Sequence, residues 1–211
     1  MEVFQEGYKV SDNDKVHSRN PTVDMHTYRF KLNDTRIEIC DVDQIVDYLR
    51  HWSFNCGEHY HNFILLVVSM SDYNIKHEEY EGTLLDECVE YMKVLLNNKV
   101  AQNCGLLIFF NKKDRFKEKL QDLECRDDIA YLMPHLAPQK AKEYLSKGKF
   151  EEKHMLDALC KKFVDAIKEV KNRDKNTYCR FTCAIDSKMM EGIFGAIKES
   201  ILEESLLNIL P

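Results

Sequence analysis

Leu106-Leu107-Ile108-Phe109-Phe110-Asn111-Lys112-Lys113-Asp114 is the stretch that decides the fold of this chain. Its five consecutive apolar residues read as a strand buried on both faces, as in a parallel sheet, because a half-solvated strand would alternate. Polar residues at the C-terminal end of such a strand lie where open α/β sheets take their ligands. Asn111 offers an amide able to pair with a purine ring nitrogen. Asp114 accepts only when ionised and matches a base edge that presents two N–H donors, as guanine does. Four polar residues after a strand also make an ordinary loop, so the neighbouring segments must decide.

Upstream, Phe63 to Met70 is a second continuous apolar run and reads as a buried strand by the same logic. Between the two, Leu85, Cys88, Val89, Met92, Leu95 and Leu96 recur at steps of three and four, which predicts an amphipathic helix. A longer helix is predicted at roughly 151–171, with Met155, Leu156, Leu159, Cys160, Phe163, Ile167 and Val170 on one face. Thr177 to Cys183 reads as a further strand. A last helix starts near Ser187, capped by Asp186, with Met189, Met190, Ile193, Phe194, Ile197 and Ile201 assigned to the core. His26 to Leu32 and Thr35 to Asp41 alternate apolar and polar residues around Asn33-Asp34, which predicts a hairpin. Residues 1–20 suit a linker or a short helix start, and 115–150 is polar with no clear period. The order is a hairpin followed by β-α-β-α-β-α, an α/β sheet built through right-handed crossovers.

The 211 residues are 44% hydrophobic and 31% charged, which describes a globular chain of one large domain or one domain with an appendage. A formal net charge of −6 argues against nucleic acid as the main partner. No cationic segment precedes an apolar stretch at the N-terminus, and no apolar run reaches membrane length. Met1-Glu2-Val3 lacks the glycine needed for myristoylation, and no prenylation box closes the chain, so no lipid anchor of its own is expected. Eight cysteines are scattered without a C-x-x-C pair, and Cys40, Cys88, Cys104 and Cys160 sit inside apolar patterns. Reduced thiols and a cytoplasmic location are the expectation. Cys56, His59 and His61 fall short of the four ligands that a zinc site needs.

With the element order in place, the chain resembles the heterotrimeric G-protein α subunits, over nearly all of its length but only the C-terminal half of theirs. Asn111-Lys112-Lys113-Asp114 is similar to the N-K-x-D motif with which GTP-binding proteins read their base. Tyr178-Cys179-Arg180-Phe181-Thr182-Cys183-Ala184-Ile185-Asp186 resembles the family's "HFTCATD" segment. Ser71-Asp72-Tyr73-Asn74 resembles its "SDYD", and Asp41-Val42 opens the segment where the family has D-V-G-G-Q-R. Trp52 stands at the family's spacing from Asp41, eleven residues on. Ser11 to Asp14, Arg19 and Thr22 resemble the linker and first switch.

The resemblance implies a fold and a set of roles. The fold is a partial Ras-like, P-loop NTPase-type three-layer sheet, mostly parallel with one antiparallel hairpin strand. Residues 1–24 would be a remnant of the helical-domain connection and first switch, and 25–211 a partial GTPase domain. Asn111 and Asp114 would read guanine, and Lys112 and Lys113 complete that motif, with Lys112 along the base's face. Cys183 and the Ala184 N–H would close the pocket. Arg19 falls on the internal arginine finger that stabilises charge on the transferred phosphoryl group. Thr22 falls on the switch threonine that contacts Mg²⁺, and Asp41 on the acidic residue opening the second switch. The implied cofactors are GTP or GDP with Mg²⁺. The implied partners are βγ, a G-protein-coupled receptor or an effector, reached at the inner face of the plasma membrane through those partners.

Departures from the family pattern qualify these roles. No G-x-x-x-x-G-K-[ST] occurs in the 211 residues, and the strand before it and the helix after it have no counterpart. The second switch reads Asp41-Val42-Asp43-Gln44-Ile45-Val46, so both glycines are replaced and an aliphatic Ile45 stands where the family orients its water. In P-loop proteins backbone N–H groups, a lysine and Mg²⁺ hold the phosphates. Losing about four charge-assisted bonds removes on the order of 6–12 kcal/mol, or ~10⁴- to 10⁸-fold in affinity. Nucleotide binding is therefore expected to be weak or absent, with hydrolysis lost or very slow. The competing expectation is a nucleotide-independent interaction module whose amphipathic tail, Ile201-Leu202-Glu203-Glu204-Ser205-Leu206-Leu207, meets a receptor. Without the central strand two sheet edges would be unpaired, which pairing of the remaining strands or a partner would cover, unless the chain is a fragment or the product of an incomplete gene model.

Overall fold

A computed structural model describes residues 8–11, 25–32, 35–42, 49, 62–79, 81–122, 124–125, 127–147, 151–171, 173 and 175–207. Two compact units result, Met1–His51 and Trp52–Pro211. In the first, β1 (His26–Leu32) and β2 (Thr35–Asp41) form the antiparallel hairpin that the alternation predicts. Leu32 pairs with Thr35, and Asn33-Asp34, predicted as the turn between the strands, lie outside the described residues. Arg29 faces Glu38 in register and donates from Nε at 2.6 Å. Both side chains are exposed, so solvent screens the pair and it contributes little.

The second unit is a parallel sheet of β3 (Phe63–Ser69), β4 (Gly105–Asn111) and β5 (Thr177–Phe181), with β4 in the middle. Leu106 through Phe110 are all buried, as a strand covered on both faces must be. Phe63 pairs with Gly105, and a Cβ at Gly105 would stand 2.3 Å from the Phe63 ring, which explains a glycine at that strand start.

Helices cover the two faces because side chains alternate along β4. On one face lie α1 (Leu84–Leu96) and, after a single turn α2 (Lys99–Gln102), the helix predicted near 151–171. The segment 115–150 proves to hold α3 (Lys113–Gln121), two 3₁₀ turns (Asp127–Tyr131 and Met133–His135) and α4 (Pro138–Lys147). The predicted long helix is α5 (Glu152–Lys168), and its Phe163 meets Phe110 edge-on at 5.1 Å. On the opposite face α6 (Ser187–Leu207) lays Met190 and Ile193 against Leu107 and Phe109. The stripe assigned to the core on α6 is only half-buried, and Phe194 is 40% exposed. Among the described residues α6 is the helix packed on Leu107 and Phe109, and its far flank is exposed. Ile197 and Ile201 lie outside the residues whose side chains are described.

Two strand ends differ by a residue or two from their predicted bounds. β3 stops at Ser69 because Met70–Asp72 turns into a 3₁₀ helix. β5 stops at Phe181, and Thr182 and Cys183 belong to the turn beyond it.

The start of α1 carries a reciprocal cap. Thr83 is 1% exposed, its hydroxyl accepts from the Asp86 N–H at 3.2 Å, and its N–H donates to the Asp86 carboxylate at 2.8 Å. Lys162 of α5 donates to the same carboxylate and so ties the two helices together. Burial raises the Asp86 pKa, but the bonds from Lys162 and Thr83 outweigh it and hold the carboxyl below its ordinary 3.8. Thr83→Ala is expected to lower the unfolding free energy by about 1–2 kcal/mol in urea titration. The depressed Asp86 value stabilises the fold above pH 3.8 and loses that effect as pH falls through the folded-state value. Acid unfolding of Asp86→Asn should therefore depend less on pH in that range than that of the parent chain.

Candidate functional site

The C-terminal ends of β4 and β5 are joined by backbone hydrogen bonds that run past the last strand residue. The Thr182 N–H donates to the Phe110 carbonyl at 2.7 Å, and the Lys113 N–H donates to the Thr182 carbonyl at 3.1 Å. This pairing holds the loop after β4 against the loop after β5. Between them Lys112 adopts φ 60° and ψ 41°, the left-handed region. That single residue turns the chain from strand to helix, and Asp114 lands in the first turn of α3.

Side chains complete the junction. Asn111 Oδ1 accepts from the Ala184 N–H at 3.0 Å and from the Thr182 hydroxyl at 3.1 Å. A backbone N–H can only donate, so these bonds fix which end of the amide is oxygen. The Asn111 Nδ2 group takes part in neither bond. The Cys183 thiol donates to Asp114 Oδ1 at 3.4 Å. Burial, and then the Asp114 carboxylate, push the Cys183 pKa up, so sulfur stays a neutral donor and not a thiolate. Asp114 keeps a second carboxylate oxygen outside that bond.

Asn111, Lys112, Lys113, Asp114, Cys183 and Ala184 are thus brought to one place, as the sequence predicts. Thr182 is the residue that sequence reasoning passed over. It is 1% exposed and orients Asn111 while its backbone joins the two loops. Its signal was its place in the segment that resembles "HFTCATD", where it was given no role. Asp186, predicted as the cap of α6, accepts from the Met189 N–H at 3.0 Å.

Asp41 ends β2 in the Met1–His51 unit, where it is exposed and pairs with His26. Arg19, Thr22, Asp43, Gln44, Ile45, Trp52, Cys56, His59 and His61 lie outside the described residues. Among the described residues no group of three His, Cys, Asp or Glu is placed to hold a metal ion.

Nearby, the turn after β3 is fixed to α3. Tyr73 is fully buried and meets Phe116 edge-on at 5.4 Å. Lys119 donates to the Ser71 carbonyl and to Asn74 Oδ1, each at 2.7 Å. The Ser71–Asn74 turn therefore braces the helix whose first turn carries Asp114.

A parallel sheet with an Asn-x-x-Asp loop after its central strand, clasped to a Thr-Cys-Ala loop after the next, defines a Ras-like α/β protein. The chain belongs to the G-protein alpha subunit family, which matches it over residues 1–201. It is 26% identical to the guanine nucleotide-binding protein alpha-1 subunit of Caenorhabditis elegans, across 97% of this chain and 53% of that protein. It is 26% identical to the human subunit alpha-13 across 96% of this chain and 50% of that protein. With the alpha-2 subunit of Schizosaccharomyces pombe the identity is 27%, across 97% and 54%. The chain spans about half the length of these curated relatives.

The left-handed Lys112 gives a direct check on the junction. A lysine there costs of order 1 kcal/mol, which glycine would not incur, whereas a β-branched residue would incur more. Lys112→Gly is expected to leave stability within ~0.5 kcal/mol, since relief of strain offsets glycine's greater unfolded-state freedom. Lys112→Ile should lower it by ~1–2 kcal/mol in the same urea titration.

Proposed function

We infer that this chain is an alpha-subunit-like protein that recognises the guanine base through the β4–β5 junction, binds nucleotide weakly and hydrolyses GTP very slowly or not at all. The observation that carries this reading is the clasp of Asn111 with Thr182 and Ala184 beside that of Asp114 with Cys183. It leaves the Asn111 amide and an Asp114 carboxylate oxygen as the groups to meet a base. Guanine offers a ring nitrogen to an amide and two N–H donors to a carboxylate. The donor set fits guanine.

Slow hydrolysis rests on residues inside the chain. Ile45 stands at the position of the water-orienting glutamine, and an aliphatic side chain cannot align a nucleophile. Asp43 and Gln44 replace the glycines that let backbone approach a γ-phosphate. By family the partners are a receptor, βγ or an effector, met from the cytoplasm at the inner face of the plasma membrane.

One observation favours a second reading, a nucleotide-independent interaction module. The Ala184 N–H, which would meet the guanine carbonyl oxygen, donates to Asn111 instead. The junction satisfies its own donors without a ligand, and association with receptor or βγ would then proceed with no nucleotide bound.

Titration of the 211-residue chain with fluorescent GDP and GTP analogues separates the readings. The expected result is retention weaker than ~1 μM, little changed by Mg²⁺, with guanine preferred over adenine. Asp114→Asn exchanges an acceptor pair for a donor and an acceptor, which suits a base carrying a carbonyl in place of guanine's amino group. That variant should lose guanine preference by roughly 5- to 150-fold and gain xanthosine nucleotides. Tight Mg²⁺-dependent retention, or single-turnover hydrolysis at an intact alpha subunit's rate, would overturn the proposal. No binding of any guanine nucleotide, with association to receptor or βγ retained, would establish the second reading.

A further inference from the structure

A cleft opens where α5 meets the segment that leads into α4. His154, Asp157, Ala158 and Lys161 recur at steps of three, one and three, so they lie along one side of α5. Across the cleft stand His135, Leu136, Ala137 and Lys140, held there because the Met133–His135 turn packs on α5. The Ala137 carbonyl accepts from the N–H groups of Lys140 at 2.8 Å and Ala141 at 3.0 Å, which starts α4 and fixes where Lys140 stands. The space enclosed is about 170 Å³. It exists because Ala137 and Ala158 contribute only methyl groups to its walls.

The floor of this cleft is apolar and its mouth is basic. Leu136 and Ala158 are buried, whereas Lys140 and Lys161, one on each wall, have half-exposed side chains. Each lysine holds a carboxylate of its own helix, Glu143 at 3.3 Å and Asp165. Exposed pairs of this kind are weak, so another carboxylate displaces them easily. Burial, and then the charges of Lys162 and Lys161, hold His135 below its ordinary 6.5, so its ring is neutral at pH 7. Asp157 adds one negative charge, which leaves two lysines against one aspartate in a chain of formal charge −6.

Size and charge together select the ligand. Small-molecule sites run to roughly 300–1,000 Å³, so this cleft is too small for a nucleotide or a cofactor. A cavity of ~150 Å³ takes a benzene ring, so one leucine- or phenylalanine-sized group fills this one. A bare anion would meet the lysines but leave the apolar floor unfilled. An acidic peptide with one apolar residue satisfies both. We propose that the cleft is a docking site for an acidic segment of a partner protein, which seats one leucine-sized side chain between Ala137 and Ala158 and sets carboxylates against Lys140 and Lys161. The site shares no residue with the β4–β5 junction, so it is independent of whether a base is bound there.

Two-dimensional amide NMR of the intact chain at pH 7, titrated with the acetylated and amidated peptide Glu-Glu-Leu-Glu-Glu, tests this. Saturable shifts are expected at Ala137, Lys140, Ala158 and Lys161, with little change at Asn111 and Ala184. The peptide Glu-Glu-Ser-Glu-Glu lacks the anchor and should bind roughly 10- to 100-fold more weakly. Lys-Lys-Leu-Lys-Lys keeps the anchor but reverses the charge, and should give no saturable shift at these positions. Lys140→Ala combined with Lys161→Ala should weaken the acidic peptide by roughly 2- to 30-fold. Lys168→Ala, on the same helix but outside the cleft, should leave binding unchanged. Where a variant loses its dispersed amide spectrum, the three peptides on the parent chain decide. Shifts that do not saturate by ~10 mM peptide, or that saturate only outside the cleft, overturn the proposal, as does equal binding of the serine or the basic peptide.

Discussion

Burial of β4 on both faces is the constraint on which the Trp52–Pro211 unit depends. Leu106, Ile108 and Phe110 face α5, while Leu107 and Phe109 face α6, and none of the five is exposed. A strand covered twice cannot stand at an edge, so neighbours must pair on either side and helices must close both faces. β3 and β5 supply the pairing, each parallel to β4 and in chain order. All three strands therefore point the same way, and their C-terminal ends fall along one rim. The position of Asn111 is a consequence of this burial, because it is the first residue after Phe110 that the core does not claim.

The chemistry at that rim is arranged by the chain's own hydrogen bonds. Thr182 uses its N–H toward Phe110, its carbonyl toward Lys113 and its hydroxyl toward Asn111. Cys183 uses its thiol toward Asp114. Each bond crosses from the β5 loop to the β4 loop, so the two loops form one rigid element. Low exposure strengthens such bonds, because an unmet donor there would cost more than it does in water. On the proposed reading, a base at this rim meets groups already held in place, which reduces the ordering that binding must otherwise supply.

Most of this architecture was legible in the residues. The hairpin register, the two apolar runs and the helices at 84–96 and 152–168 follow from alternation and from three- and four-residue steps. α3 was not legible because it buries only Phe116 and Leu120, four residues apart among charged neighbours. Its place is set by Tyr73 and Lys119, contacts that bridge more than forty positions in the chain and leave no local pattern. The residues of the β4–β5 junction were legible through motif resemblance; Thr182 stood in the same segment, but its bond to Asn111, 71 positions away, leaves no local pattern. The reading of α6 as core held for Met190 and Ile193 but not for Phe194, for a related reason. A helical stripe shows which side is apolar but not how much of it a neighbouring layer can cover.

The two readings of function differ in what the junction is for, and the hydrogen bonds bear on both. Bonds from Ala184 and Thr182 to Asn111 hold together two loops that would otherwise end in unmet polar groups. The N-K-K-D motif thus has a structural role even with no base bound, and its presence alone does not require a ligand. Recognition adds a demand that structure does not make. For guanine to use the Ala184 N–H, that donor must leave Asn111, and the Asn111 oxygen must keep only Thr182. The exchange is one hydrogen bond for another and is close to neutral, so the base contributes through the Asn111 amide, the Asp114 carboxylate and stacking along Lys112. On the proposed reading those contacts serve to discriminate among bases, a demand that the structural role of the junction does not make.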